Sequence, residues 1–244
     1  MNEKEAIMTG NIEVFTQNSI RIRSRVGVIY IDPFQMKEEP KDADFVLITN
    51  DHYDHFSPED IGKVCKADTV LVVPEKMASK AQEVSKMVGK IETVKPGVYR
   101  EMGGLEFETV PAYNTLKPFH PKSAEWVGYI LRIDGKRIYV AGDTDATREA
   151  KAVKCDIALV PIGGTYTMDA KKAAWAKEKE MQQAGKYKAA LAKLNDEQRW
   201  GLQQLANPTD APDCPYLMDL KDKLSFPWEM SQVTGKLDTY TYLE

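Results

Sequence analysis

The chain has 244 residues, 43% hydrophobic and 29% charged, enough for one sizeable core or two small ones. A net charge of −4 and a pI near 5.6 give no electrostatic case for nucleic acid. Three well-separated cysteines, Cys65, Cys155 and Cys214, form no CxxC pattern, which argues against a disulfide framework or a structural zinc site. The first ten residues are polar, without the apolar centre of a signal peptide. No apolar run reaches the roughly 18 residues of a membrane span. The expectation is a cytoplasmic enzyme with a small-molecule substrate and neither nucleic acid nor membrane as partner.

Ile12, Val14, Ile20 and Ile22 alternate with polar residues, as half-buried strands do. Val26 to Ile31 is a more continuous strand ending in Asp32-Pro33, and Lys37 to Asp44 a charged connector. Phe45 to Thr49 reads as a buried strand. It breaks into Asn50-Asp51-His52-Tyr53-Asp54-His55, which holds two of the three histidines. Ser57-Pro58-Glu59-Asp60 then opens a helix, with Ser57 as cap and Pro58 at the first helical position. His52, Asp54 and His55 on a tight loop after a buried strand are candidate metal ligands, since imidazole and carboxylate can be aimed inward together.

Downstream, Thr69 to Val73 predicts a strand closed by Pro74, and Glu75 to Val88 a surface helix with Met77, Ala81, Val84 and Val88 on one face. Ile91 to Val94 is a strand before the Pro96-Gly97 turn, and Leu105, Phe107 and Thr109 alternate into Val110-Pro111. Residues 112 to 125 form a polar loop with the third histidine, His120. It either faces a cleft and contacts substrate, as a catalytic residue, or is a loop residue between prolines. Asp134-Gly135 predicts a hairpin turn between Trp126–Leu131 and Lys136–Ala141, which ends in Gly142-Asp143-Thr144-Asp145. Asp156 to Ile162 is a further buried strand before Gly163-Gly164.

These segments, in order, resemble the metallo-β-lactamase superfamily and, within it, small UlaG-like metal-dependent hydrolases. TNDHYDH resembles the HxHxDH loop, with Asn50 where the first His belongs. IYIDPF, VPAYN, WVGYILRIDGKRIYVAGDTD and DIALVPIGGTYTMD resemble its other segments, over about residues 10 to 175. The resemblance implies an αββα four-layer sandwich over residues 1–168. It implies metal ligation at His52, Asp54, His55 and Asp143, with Asn50 and Asn114 at positions where relatives carry His. It implies hydrolysis by a metal-activated water, with Asp54 orienting or deprotonating that water and binding metal. Asp32 is then expected behind the metal loop, accepting hydrogen bonds from it; without the resemblance it is a turn residue before proline.

No histidine follows His120, so the last family ligand is absent. A ligand count over what remains predicts one tightly bound ion, Zn²⁺ or Mn²⁺, centred on Asp54, His55 and Asp143. The function implied is hydrolysis of a small ester, amide, lactone or phosphoester. The alternative is a catalytically weak metal-binding relative that serves as a ligand-binding protein. A nuclease of the same superfamily is disfavoured by the acidic charge.

Residues 169–244 depart from the resemblance. Asp169 to Leu194 predicts a long helix whose Met181-to-Leu194 stripe packs on the sandwich. A second helix from Asn195 to Leu205, a proline-rich linker and a terminal strand over Leu237 to Leu243 complete the expectation.

Overall fold

The computed structural model describes residues 11–174 and 241–243. Two six-stranded mixed sheets face each other. In the first, β1 (Ile12–Val14), β2 (Ile20–Ser24), β3 (Gly27–Ile31), β4 (Ala43–Leu47), β5 (Cys65–Pro74) and β6 (Lys90–Val94) lie side by side in chain order. Strands β1 to β3 pair antiparallel and β3 to β6 parallel. In the second, β7 (Tyr99–Met102), β8 (Leu105–Pro111), β9 (Val127–Ile133), β10 (Lys136–Val140), β11 (Ile157–Val160) and β12 (Thr241–Leu243) also follow chain order. All its pairs are antiparallel except β10 with β11.

The period-two pattern of the strands decides which layer each side chain joins. Ile29, Ile31, Phe45, Leu47 and Val72 of the first sheet meet Phe107, Tyr129, Leu131 and Val140 of the second in a shared core. Their strand neighbours Tyr30, Val46, Ile48, Leu71 and Val73 point the other way, onto Phe56, Ile61 and Val64. On the far side of the second sheet, Ile130, Tyr139, Ala158 and Val160 are covered by Ala150, Met168 and Ala173. The covering helices are α1 (Pro58–Val64), α2 (Arg148–Ala152) and α3 (Ala170–Ala173). Four layers result, as the resemblance implied.

Helix α1 begins as expected: Ser57 Oγ accepts from the Asp60 N–H at 3.3 Å, with Pro58 next in line. The turn at Asp134-Gly135 also forms, with φ of 50° and 80°.

The surface helix expected over 75–88 does not form. Two 3-10 turns, Glu75–Met77 and Lys80–Val84, take its place. The periodic face is real, since Met77, Ala81 and Val84 are buried. The backbone bonds close at i+3, as in Ala78 N–H to Glu75 O and Gln82 N–H to Ser79 O. The Ser85 hydroxyl donates to the Gln82 carbonyl at 2.8 Å, a side-chain bond of the kind that competes with an α-helical ladder.

The terminal strand is present as Thr241–Leu243, antiparallel to β11. Asp169 caps α3 by accepting from the Lys172 N–H. The Met181-to-Leu194 stripe, the second helix and the linker lie outside the described residues. No helix among the described residues is long and apolar enough to cross a membrane.

Candidate metal centre

The site forms where the ends of the two sheets meet. Thr49, just past β4, accepts from the Val127 N–H at 3.1 Å with its carbonyl, and the Tyr129 hydroxyl donates to the Ile48 carbonyl at 2.7 Å. Gly142, just past β10, presses on the same residue. A Cβ there would lie 2.9 Å from the Thr49 Cβ, and its φ of 63° favours glycine independently. The absence of a side chain at 142 therefore lets the turn carrying Asp143 close on the loop carrying His52, Asp54 and His55.

Asp32 lies behind that loop, fully buried, with a left-handed φ of 43°. Its Oδ1 accepts from the Thr49 N–H at 2.8 Å. Its Oδ2 lies 2.5 Å from Asn18 Nδ2, 2.5 Å from Thr49 Oγ1 and 2.6 Å from His55 Nδ1. The expected role behind the loop is the one it occupies. Held this way, His55 turns Nε2 toward Asp143 Oδ2 at 3.1 Å, with Asp54 Oδ2 3.9 Å away. Burial disfavours charge on His55, but Asp143 and Asp32 outweigh it and raise its pKa well above the ordinary value. Burial likewise works against the Asp143 carboxylate, yet His55 and His120 hold it well below the usual range.

Asp143 Oδ2 also lies 3.0 Å from His120 Nε2, which in turn is 3.3 Å from His52 Nδ1. One ligand atom each from His52, His120 and Asp143 falls within 4.8 Å of the others, the spacing a single ion requires. Burial, helped by His120 and His55, lowers the His52 pKa, which keeps that imidazole neutral and its lone pair available. Trp126 packs edge-on against both rings, at 4.8 Å from His52 and 5.5 Å from His120.

The other two predicted positions are engaged differently. Asn50 Oδ1 accepts from the His52 N–H at 3.0 Å, an Asx turn that shapes the loop. Asn114 directs Nδ2 to the Phe119 and Tyr166 carbonyls. Thus His120, expected as a possible substrate contact, joins His52 and Asp143, while His55 meets this group at the Asp143 carboxylate and Asp54 lies beside His55. Residues that sequence reasoning passed over include Trp126 as a wall of the site, Asn18 behind Asp32, and Asp145. The Asp145 Oδ2 accepts from Thr115 N and Oγ1, at 3.2 and 3.3 Å, at the start of the His120 loop. Only the GDTD run itself could have drawn attention to Asp145.

A four-layer β-sandwich with imidazoles and a carboxylate converging at the sheet ends is the architecture of a metallohydrolase. The family described as "Beta-lactamase superfamily domain" matches residues 11–179, and the chain belongs to the metallo-β-lactamase superfamily. Within it, the chain falls in the UlaG-like branch of metal-dependent hydrolases. It is 32% identical over 164 residues to a UPF0173 metal-dependent hydrolase of Pyrococcus abyssi, covering 62% of this chain and 71% of that one. A namesake from Pyrococcus horikoshii is 30% identical over 164 residues, with the same coverage. Among solved structures, a protein of Parabacteroides distasonis described as a metal-dependent hydrolase superposes with a TM-score of 0.57 at 32% identity, over 68% of this chain and 75% of that one. A metallo hydrolase of Ignicoccus hospitalis shares the fold at 24% identity, with a TM-score of 0.54, over 68% and 76%.

Proposed function

We propose that this chain hydrolyses a small ester, amide or lactone in the cytoplasm, with one divalent ion, Zn²⁺ or Mn²⁺, held by His52, His120 and Asp143. The convergence of those three donors carries the reading. Two imidazoles and one carboxylate match the donor preferences of either metal and leave a position open for water and substrate. A divalent ion supplies Lewis acidity toward a carbonyl oxygen and acidifies water.

The protein's own groups supply the rest. Asp54, its side chain 22% exposed beside His55, would accept a proton from water in this reading. His55, pinned by Asp32, and His120 both approach the Asp143 carboxylate at Oδ2. The rim favours an apolar, uncharged substrate over a phosphoester. Tyr53, Leu116, Phe119 and Tyr166 are exposed around the donor loops. The nearby Lys117 is engaged by the Gly164 carbonyl and Asp145, and Lys80 by the Asp51 carbonyl.

The test is turnover of aryl esters, lactones and a phosphodiester by metal-free protein titrated with Zn²⁺ or Mn²⁺. Metal-dependent turnover of the first two that disappears in Asp143→Ala is expected. One equivalent of bound metal without turnover of any substrate would instead favour the ligand-binding relative, for which the replacement of a family histidine by Asn50 speaks. No bound metal at all would remove both.

A further inference from the structure

The resemblance sets Asn114 at a metal-binding histidine's position, yet its contacts describe a brace. Its N–H donates to the His120 carbonyl at 2.8 Å and so closes the loop from 114 to 120. Its Nδ2 lies 2.8 Å from the Phe119 carbonyl and 2.7 Å from that of Tyr166. The opposite amide orientation would set an oxygen against both carbonyls, so the orientation is fixed by chemistry. A primary amide has two N–H donors, and these two acceptors consume them.

The consequence falls on His120. Its Nδ1 lies 3.1 Å from Asn114 Nδ2 and 3.1 Å from the Tyr166 carbonyl. The amide has no proton left for it, so His120 Nδ1 is satisfied by donating its N–H to the Tyr166 oxygen. That leaves Nε2, the atom facing His52 Nδ1 and Asp143 Oδ2, able to offer its lone pair to an ion in place of an N–H to Asp143. An imidazole that binds metal through one nitrogen normally donates from the other to a carbonyl or carboxylate. The backbone at His120 is left-handed, with φ of 57°, a conformation that needs such ties to persist. Lys117, which donates to the Gly164 and Thr167 carbonyls, joins the same two loops a second time.

We infer that Asn114 is a positioning residue, which fixes the backbone and tautomer of His120 so that His120 can take the ligand role, and that it is not itself a ligand. The inference rests on the proposed ion at His52, His120 and Asp143. One observation keeps the opposite role open to test: Asn114 Oδ1 is buried without a hydrogen-bond partner, as a ligand oxygen would be before binding.

Asn114→Asp separates the two roles in the 244-residue chain. A carboxylate would be a stronger ligand than an amide, but it would face the Phe119 and Tyr166 carbonyls with repulsion in place of two hydrogen bonds. Zn²⁺ and Mn²⁺ affinity, measured by competition with a chromophoric chelator, should fall about 10- to 100-fold in the variant. Equal or tighter binding overturns the inference. The tautomer is read on the unsubstituted protein, so the idea survives a variant that does not fold. Nitrogen-15 NMR at pH 8, with and without Zn²⁺, should find His120 Nδ1 protonated; an unprotonated Nδ1 overturns the brace. An unsubstituted chain that takes up no ion would sink the metal reading by itself, and the Nδ1 result on the metal-free protein would still decide the brace.

Discussion

Two loops face each other across the site, and they are built on different plans. The loop at 49–55 carries one donor, His52, with Asp54 and His55 beside it within seven residues, and is locked by one buried carboxylate, Asp32, which reaches Thr49 and His55 from the neighbouring strand end. The loop at 112–120 brings a single donor, His120. It is locked by partners far along the chain: Asp145 at its start and the Tyr166 carbonyl at its end. The first is fixed by the fold's core before any ion arrives. The second depends on part-buried contacts to distant parts of the chain, and on the donors closing around an ion. Dense local spacing and a buried anchor give a rigid loop, and long-range ties give one whose order is coupled to the ligand.

The largest expected effect breaks the rigid loop. Asp32→Ala would strip Asn18, Thr49 and His55 of their shared acceptor and leave the buried His55 imidazole without the carboxylate at its Nδ1. Removing one partner of such a buried pair costs about 3–5 kcal/mol. Urea unfolding of Asp32→Ala should show that loss with or without metal. A loss below about 1 kcal/mol would mean the first loop is not held from behind.

Metal removal comes next and should act on the other loop. An ion at 100 times its dissociation constant adds about 2.7 kcal/mol to the folded state, which a chelator would abolish. Amide exchange should then rise more across 112–120 than across 49–55. Equal rises would erase the distinction between the loops. A smaller effect is expected at Asp145→Ala, which unties Thr115 and removes the carboxylate that Lys117 approaches at 3.4 Å. Thr115 is exposed and water can take the place of the carboxylate, so the cost is that of a net hydrogen bond, about 0.5–1.5 kcal/mol. Metal affinity should weaken in the same variant; unchanged affinity would show that the start of the loop does not transmit to His120.

The same contrast explains what the sequence made legible. The rigid loop was readable because its signals are adjacent: a β-branched run, four metal-capable side chains, then Ser57 and Pro58. The sandwich was legible through the resemblance, an ordered run of matching segments; the continuous apolar runs at Val26–Ile31 and Phe45–Thr49 marked strands but not the layer that each residue joins. His120 was readable only as a histidine of uncertain role. What recruits it is a contact with a carbonyl 46 residues away, which no local pattern encodes. The helix expected over 75–88 failed for a related reason. Its buried face at Met77, Ala81 and Val84 satisfies helical spacing, but the i+3 bonds and the Ser85 hydroxyl settle the backbone, and a periodicity count does not see them. Helix α2 went unpredicted because it is only five residues long, and its one signal is Thr147 accepting from the Ala150 N–H.

The smallest effect sharpens the comparison by testing the outer side of the second loop. Glu149 on α2 accepts from Lys122 at 2.7 Å and from the Tyr113 hydroxyl at 2.8 Å, while Lys122 Nζ also sits 4.6 Å from the Tyr113 ring centre. Lys122, then Tyr113, pull the Glu149 carboxyl down to about 2. A folded-state pKa below the unfolded value contributes stability that is fully present above the unfolded value of about 4.5 and fades as pH falls toward 2. The side chain is 31% exposed, so solvent screening holds the contribution of this pair below about 1 kcal/mol. Glu149→Gln should therefore unfold slightly earlier than the parent at pH 7 and pH 5, and the gap should close by about pH 2. A gap that persists unchanged at low pH would show that the charge of Glu149 is not what holds this clamp. Metal affinity should change less than in Asp145→Ala, because none of Glu149, Lys122 and Tyr113 is one of the three donors. If Glu149→Gln weakened metal binding as much as Asp145→Ala, His120 would be governed from the outside of its loop, and the ties to Asp145 and Tyr166 would lose their special place.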